Sequence, residues 1–164
     1  NLFIATESTR SEPIAGRIIE VPGDEEQTEL VRNPHVGFVA YAPIGSVARG
    51  RELVTTGGSM VINNQVVQGK TTACAGCHGA DLKGKDDVPP LAGRSPSYLA
   101  RQLYDFQQGT RNGAAAPFMR GVVANLTHDD MVAITAYLAS IGQGSPVAPP
   151  PLLLPSPVTN TARR

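Results

Sequence analysis

The feature that most constrains this chain is its only pair of cysteines, which are separated by two residues and followed at once by a histidine. The segment reads Cys74-Ala75-Gly76-Cys77-His78. Two cysteines at this spacing can form thioether bonds to the two vinyl groups on one edge of a haem, and the adjoining His78 then reaches the iron from the same side. The segment therefore predicts one covalently attached haem c, with His78 as an axial ligand of the iron.

Two other uses of a cysteine pair at this spacing are a zinc site and a redox-active pair. A closed zinc site needs four ligands, so Cys74 and Cys77 would have to recruit His35 or His128 from distant segments. A thioredoxin-like redox pair requires a βαβ setting, and the preceding residues 68–72 do not read as a strand. A disulfide across so short a loop would add little stability. Haem attachment is the interpretation that the local sequence favours.

The composition fits a small domain whose core is completed by a buried cofactor. The chain has 164 residues, of which 41% are hydrophobic and only 5% aromatic, with no Trp. The formal net charge is zero, which argues against a nucleic-acid partner. No run approaches the roughly 20 apolar residues that span a bilayer, so no transmembrane segment is predicted. The start of the chain lacks a signal-peptide pattern, and Asn1 is expected to be a processed terminus.

Proline content and helical signals divide the chain into three parts. Residues 1–44 are predicted to be an irregular N-terminal extension, residues 45–142 a monohaem domain, and residues 143–164 a Pro-rich tail. Within the extension, β-prone pieces at residues 17–21 and 36–41 predict a small hairpin. The tail carries six of the 14 prolines, which favour extended polyproline geometry over helix.

The central part carries the helical signals. Its pattern predicts three helices, at residues 46–57, 95–109 and 127–142, with Ser46 and Thr127 as caps. Each predicted helix presents apolar residues at helical spacing: Leu53 and Val54; Leu99, Leu103 and Phe106; Met131, Ile134, Leu138 and Ile141.

An insertion at residues 58–72 separates the first predicted helix from the cysteine segment. Asn63 and Asn64 stand between two short apolar runs, at residues 60–62 and 66–67. Asparagine tolerates the left-handed backbone that two-residue turns require, so this pattern predicts a β-hairpin.

Beyond the cysteine segment, residues 74–141 resemble bacterial class I cytochromes c, particularly the domains of the cytochrome c4 and c553 type. The matching pieces are Cys74-Ala75-Gly76-Cys77-His78-Gly79, Pro89-Pro90-Leu91-Ala92-Gly93, Ser97-Tyr98-Leu99, Gln102-Leu103, Phe106, Gly109-Thr110-Arg111, Met119, Asn125-Leu126-Thr127-His128-Asp129-Asp130-Met131 and Ala136-Tyr137-Leu138. The resemblance implies an all-α class I cytochrome c fold around one covalent haem. The resemblance does not cover the N-terminal extension, the insertion or the Pro-rich tail.

The resemblance also implies roles for residues outside the cysteine segment. Met119, 41 residues after His78, matches the methionine whose sulfur is the sixth iron ligand. Pro89 matches the proline whose carbonyl accepts a hydrogen bond from the ligand histidine, which orients the imidazole. Leu91 is expected to pack on the haem face, whereas Met131 is expected in the helical core. Three residues are candidate partners for the haem propionates: Tyr98, Gln102 and Arg111.

Gly50 matches the small residue that lets the first helix cross the last one near Tyr137. Because a side chain at such a crossing would hold the two helices apart, this match predicts a close approach of their backbones.

The function that the resemblance implies is single-electron transfer by haem c with His78 and Met119 as axial ligands, not catalysis. The partners would be a redox donor and a redox acceptor outside the cytoplasm, in the periplasm or an equivalent space. The extension and the tail are expected to be docking elements of a larger redox complex. The alternative is a haem enzyme or gas sensor in which the sixth ligand is displaceable.

Overall fold

The computed structural model describes residues 14–142, and these residues are mainly helical, in agreement with the predicted all-α class. The first 13 residues and the predicted Pro-rich tail, residues 143–164, lie outside the described part. The helices are α1 (Glu25–Glu29), α2 (Ser46–Thr56), α3 (Ala75–His78), α4 (Pro96–Gln108), α5 (Ala116–Val123) and α6 (His128–Ser140). The strands are β1 (Ile19–Pro22), β2 (Phe38–Tyr41), β3 (Met60–Ile62) and β4 (Gln65–Val67).

Local caps fix the ends of the three long helices. Ser95 Oγ accepts from the Tyr98 N–H at 3.1 Å, and Gly109 ends α4 with a φ of 75°. Thr127 and Asp130 form a reciprocal capping box at the start of α6. The three predicted helices are therefore confirmed. One detail was wrong, because α2 is capped by Gly45 and Ser46 is its first, buried residue.

Helices α2 and α6 make the most extensive contact in the described fold. A Cβ atom built on Gly50 would lie 1.9 Å from the Ala133 carbonyl oxygen and 2.8 Å from Tyr137 Cβ. The predicted role of Gly50 at this crossing is confirmed. Beside the crossing lies the apolar core, which comprises Leu53, Val54, Leu82, Leu99, Val123, Leu126, Met131, Ala133, Ile134 and Leu138.

The part of the extension that is described contains more regular structure than expected. Strands β1 and β2 pair antiparallel, with Ile19 opposite Tyr41, so the predicted hairpin is confirmed. Between them lies α1, an exposed helix that the pattern did not predict, capped by the Asp24 carboxylate. Ser95 Oγ donates to the Glu20 carboxylate at 3.0 Å and ties the hairpin to the start of α4.

The insertion forms the predicted hairpin. Strands β3 and β4 pair with Ile62 opposite Gln65, and Asn63 and Asn64 have φ values of 50° and 62°. Positive φ at both central residues is the signature of a type I′ turn, whose twist suits a two-residue hairpin.

Helix α5 was not predicted, because residues 113–116 read as a flexible loop leading to Met119. The structure instead begins a helix at Ala116 with proline in its first turn, where a missing N–H is harmless and the fixed φ favours helix. Within residues 14–142, no helix is both long and apolar enough to cross a membrane.

Candidate functional site

A cavity of about 610 Å³ opens beside the core, within the size range of cofactor sites. Its walls come from α3, α4, α5, α6 and the loop between α3 and α4, and most of the lining side chains are apolar. The contributing hydrophobic residues include Leu91, Leu99, Leu103, Phe106, Phe118, Val122, Leu126, Ile134 and Leu138. Five residues that the sequence places at helical spacing on the predicted helices therefore line this cavity: Leu99, Leu103, Phe106, Ile134 and Leu138.

Both cysteines line the cavity and neither is in a disulfide. Cys74 precedes α3, and its N–H donates to the Val54 carbonyl at 2.9 Å, which anchors it against α2. Burial raises the pKa of the Cys74 thiol to about 11. Cys77 is exposed. One thiol is therefore sheltered and the other lies at the cavity mouth.

His78 is held in one orientation by its second ring nitrogen. The side chain is only 6% exposed, and its Nδ1–H donates to the Pro89 carbonyl oxygen at 2.8 Å. Because a carbonyl can only accept, this bond fixes the tautomer of the neutral imidazole and leaves the lone pair of Nε2 available to a ligand. The Gly84 N–H donates to the His78 carbonyl at 2.9 Å, which ties the following loop to α3.

The loop that carries Pro89 and Leu91 is ordered by its own backbone. The N–H groups of Leu91 and Ala92 both donate to the Leu82 carbonyl, at 2.8 and 3.0 Å. Gly93 N–H donates to the Leu138 carbonyl at 2.9 Å and joins the loop to α6. These bonds place Leu91 on the cavity wall beside His78.

Met119 and Met131 occupy different places. Met119, half-buried on α5, lines the same cavity as His78. Met131 is buried in the hydrophobic core and is not among the cavity-lining residues. The assignment of Met131 to the core is confirmed, whereas the ligand role of Met119 stays a prediction.

All three candidate propionate partners line the cavity. Arg111 donates to the Gln102 side-chain oxygen, and its guanidinium lies 4.5 Å from the centroid of the Phe106 ring. Tyr98 lines the same cavity and is half exposed. Arg94, which the sequence reasoning missed, also lines the cavity and donates from Nε to the Pro90 carbonyl at 2.8 Å. Its position directly after Pro89-Pro90-Leu91-Ala92-Gly93 was the available signal.

The histidines invoked for a zinc site are elsewhere. His35 and His128 are exposed and neither lines the cavity. Among residues 14–142, no group of three or more His, Cys, Asp or Glu side chains could hold a metal ion.

The cavity therefore fits a haem. Two cysteines lie at one edge, an oriented imidazole faces the interior, and a methionine and aliphatic walls complete the lining. The chain belongs to the cytochrome c family, whose model, described as cytochrome c, matches residues 47–142. Membership of this family implies covalently bound haem c.

Among its relatives, the chain is 30% identical to cytochrome c4 from Stutzerimonas stutzeri over 141 residues. These residues make up 79% of this chain and 63% of that protein. The chain is also 29% identical to a thiosulfate dehydrogenase electron acceptor from the same species over 136 residues. These residues make up 82% of this chain and 61% of that protein. The fold is similar to that of a thiosulfate dehydrogenase from Marichromatium purpuratum, with a TM-score of 0.50 and 34% identity over 62% of this chain and 20% of the other. The chain thus spans less than two thirds of these relatives.

Proposed function

We propose that this protein transfers single electrons through one haem c, attached to Cys74 and Cys77, with His78 and Met119 as axial ligands. The observation that carries the proposal is that both cysteines, the oriented imidazole and the Met119 side chain line a single apolar cavity. Separate segments of the chain contribute these groups, so their meeting in one cavity is a property of the fold.

Bound haem supplies a one-electron couple between ferric and ferrous iron. Cys74 and Cys77 prevent its loss, and the hydrogen bond from His78 to Pro89 holds the imidazole plane and increases its basicity. Met119 offers a thioether sulfur, which favours the ferrous state and raises the potential. Apolar walls act in the same direction because they disfavour the extra positive charge of the ferric form.

With two protein ligands, the iron has no position for a substrate, so the proposed protein is an electron carrier and not an enzyme. The electron-acceptor function named for one relative supports this proposal. We expect a redox donor and a redox acceptor as partners. Because haem c is attached outside the cytoplasm, we expect a periplasmic or equivalent location.

The proposed docking role of residues 1–44 and 143–164 concerns segments that are only partly described. Of these residues, only 14–44 have a described structure. That described part is attached to the haem domain through the bond from Ser95 to Glu20. A stable assembly with a larger redox complex through these segments stays a prediction.

The test is to purify the protein from a host that attaches haem c and to titrate it by optical spectroscopy. Haem should survive acid extraction, the mass should exceed that of the chain by one haem, and reduction should be a reversible one-electron step. The reduced protein should not bind carbon monoxide. Extractable haem or bound zinc would refute the attachment, and rapid carbon monoxide binding would instead support the gas-sensor or enzyme alternative.

A further inference from the structure

The insertion hairpin leaves its apolar side chains uncovered by any described residue. Every residue of β3 and β4 is exposed, and Val61 and Val66, which pair across the hairpin, are each 68% exposed. Three more exposed apolar side chains belong to the same hairpin: Met60, Ile62 and Val67. Successive residues of a strand point to opposite faces, so Val61 and Val66 share one face of the hairpin and the other three side chains lie on the other face. Exposed apolar side chains grouped on one small element mark an interaction surface.

The hairpin is fixed to the body and is not a loose loop. Gly69 N–H donates to Ser59 Oγ at 3.0 Å, and Thr71 N–H donates to the Gly57 carbonyl at 3.2 Å. A Cβ atom on Gly69 would lie 2.1 Å from the Gly57 carbonyl oxygen, so the two backbones meet too closely for any other residue. This close backbone contact between Gly69 and Gly57, together with the two hydrogen bonds, holds the exposed strands in a fixed position.

That position is beside the haem cavity. Thr71 lines the cavity and donates from Oγ1 to the Val122 carbonyl of α5 at 2.7 Å. Thr71 is the fourth residue after Val67, so the strand end lies within about 14 Å of the cavity lining. Phe118, one helical turn before Val122, also lines the cavity and is 82% exposed.

The patch is uncharged as well as apolar. Residues 59–69 include no Asp, Glu, Lys, Arg or His. The first charge after the hairpin, Lys70, is engaged by the buried Asp130 carboxylate at 2.9 Å. A charged partner surface would lose its hydration here without gaining a counter-charge, so an apolar, uncharged face is the complementary one.

We propose that the β3–β4 hairpin and Phe118 together form the docking surface for a redox protein whose own contact face is apolar and uncharged. This inference rests on the proposed electron-transfer function. It adds which side of the protein meets the partner and the chemical character of the partner's contact face. Small interfaces and short-lived complexes are typical of electron-transfer encounters.

The test uses the full-length holoprotein and a gold surface coated with a methyl-terminated alkanethiol as a substitute for an apolar partner. Adsorbed mass is measured with a quartz-crystal microbalance and electron exchange by voltammetry. The variant is V61T/V66T, which keeps side-chain shape and strand preference while removing apolar surface. The control is V31T, at a valine that is 57% exposed but lies in the extension.

Wild type and V31T should adsorb alike and with little dependence on salt, whereas V61T/V66T should bind about tenfold more weakly. Equal adsorption of all three proteins would overturn the proposal, as would a preference of wild type for carboxylate- or amine-terminated surfaces.

Other occupants of the patch give distinct outcomes, each of which would overturn the proposal. A wild-type dimer that V61T/V66T converts to monomer would show that the patch binds a second copy. In the monomer, the hairpin amides could be as protected from hydrogen exchange as the amides of α6. That result would show that another segment of this chain covers the patch. Binding to phosphatidylcholine vesicles that V61T/V66T abolishes would identify a lipid surface.

Failure of the redox titration in solution would refute the proposed function, whereas loss of the adsorption difference alone would refute only the docking surface.

Discussion

At the level of single residues, the two helical methionines offer a direct test of the iron ligand. Met119→Ala removes the sulfur that lines the cavity, so the variant should bind carbon monoxide or cyanide and have a lower potential than wild type. Met131→Leu conserves volume in the core and should cost less than about 1.5 kcal/mol, with an unchanged spectrum. Optical titration and chemical denaturation measure both effects. If the two variants exchange these outcomes, Met131 is the ligand.

Asp130 is the buried charge on which the α2–α6 junction depends. Its side chain is fully buried, and it accepts hydrogen bonds from Thr127, Lys70 and Arg49. Burial alone would raise the pKa of this carboxyl, but these hydrogen bonds outweigh burial and hold the pKa well below its usual range. The carboxylate therefore joins three segments: α2, the residue after the insertion hairpin, and α6.

This arrangement predicts a specific pH dependence. Because the folded-state pKa of Asp130 is lowered, its stabilisation is complete above its unfolded pKa of about 4 and is lost as pH falls below that value. Asp130→Asn should destabilise the protein by roughly 2 kcal/mol at neutral pH, and the difference from wild type should shrink progressively in acid. Denaturation followed by far-UV circular dichroism at several pH values measures this.

The neighbouring Asp129 provides the control for that experiment. It is exposed in the first turn of α6, where a carboxylate interacts favourably with the helix dipole. Asp129→Asn should cost about 0.5 kcal/mol. A pH-independent difference between Asp130→Asn and wild type would contradict the assigned role.

At the level of elements, the crossing of α2 and α6 depends on one glycine. Gly50→Ala places a methyl group against the Ala133 carbonyl and Tyr137, so the helices must separate, at a cost of about 3 kcal/mol. Gly121→Ala is the matched control, because a Cβ there meets nothing within 4 Å and the residue is also helical. That change should stabilise the protein by about 0.5–1 kcal/mol. Equal effects of the two substitutions on the melting temperature would show that the crossing tolerates a side chain.

Elements with local signals were predictable, and α5 was not. Ser95, Thr127 and the Asn63-Asn64 turn specify their own backbone geometry through caps and positive φ, which act within a few residues. Helix α5 has no side-chain cap, and the glycine- and alanine-rich segment that precedes it is typical of a loop. It is also held from outside, because Gln107 donates to the Val123 and Leu126 carbonyls at 2.9 and 2.8 Å. Such distant support leaves no pattern in the sequence.

At the level of the whole molecule, the cavity predicts that the fold depends on its cofactor. Without a bound group, the aliphatic and aromatic walls of the cavity of about 610 Å³ would face water, and the stabilisation from burying them would be lost. Folding and haem binding should therefore be coupled.

The variant C74A/C77A, prepared without haem, tests this dependence. It should retain much helix in far-UV circular dichroism, lose near-UV signals and bind the dye ANS, as molten states do. The single variant C77A, which keeps one possible thioether at the sheltered Cys74, should retain haem and fixed structure. A cooperative thermal transition in the haem-free double variant would contradict the prediction.

The haem-attachment signal, the capped helices and the insertion turn were predictable from the amino-acid sequence, because each is local and acts over a few adjacent residues. Which side chains share the cavity depends instead on how distant segments pack together. Thr71 and Phe118 carry no distinguishing signal, and Arg94 is marked only by its position after Gly93. All three residues line the cavity because distant segments of the chain pack around α3. Tertiary structure also decided that the apolar hairpin remains exposed. A period-two pattern shows where apolar side chains point along a strand, but only packing shows whether another element covers them.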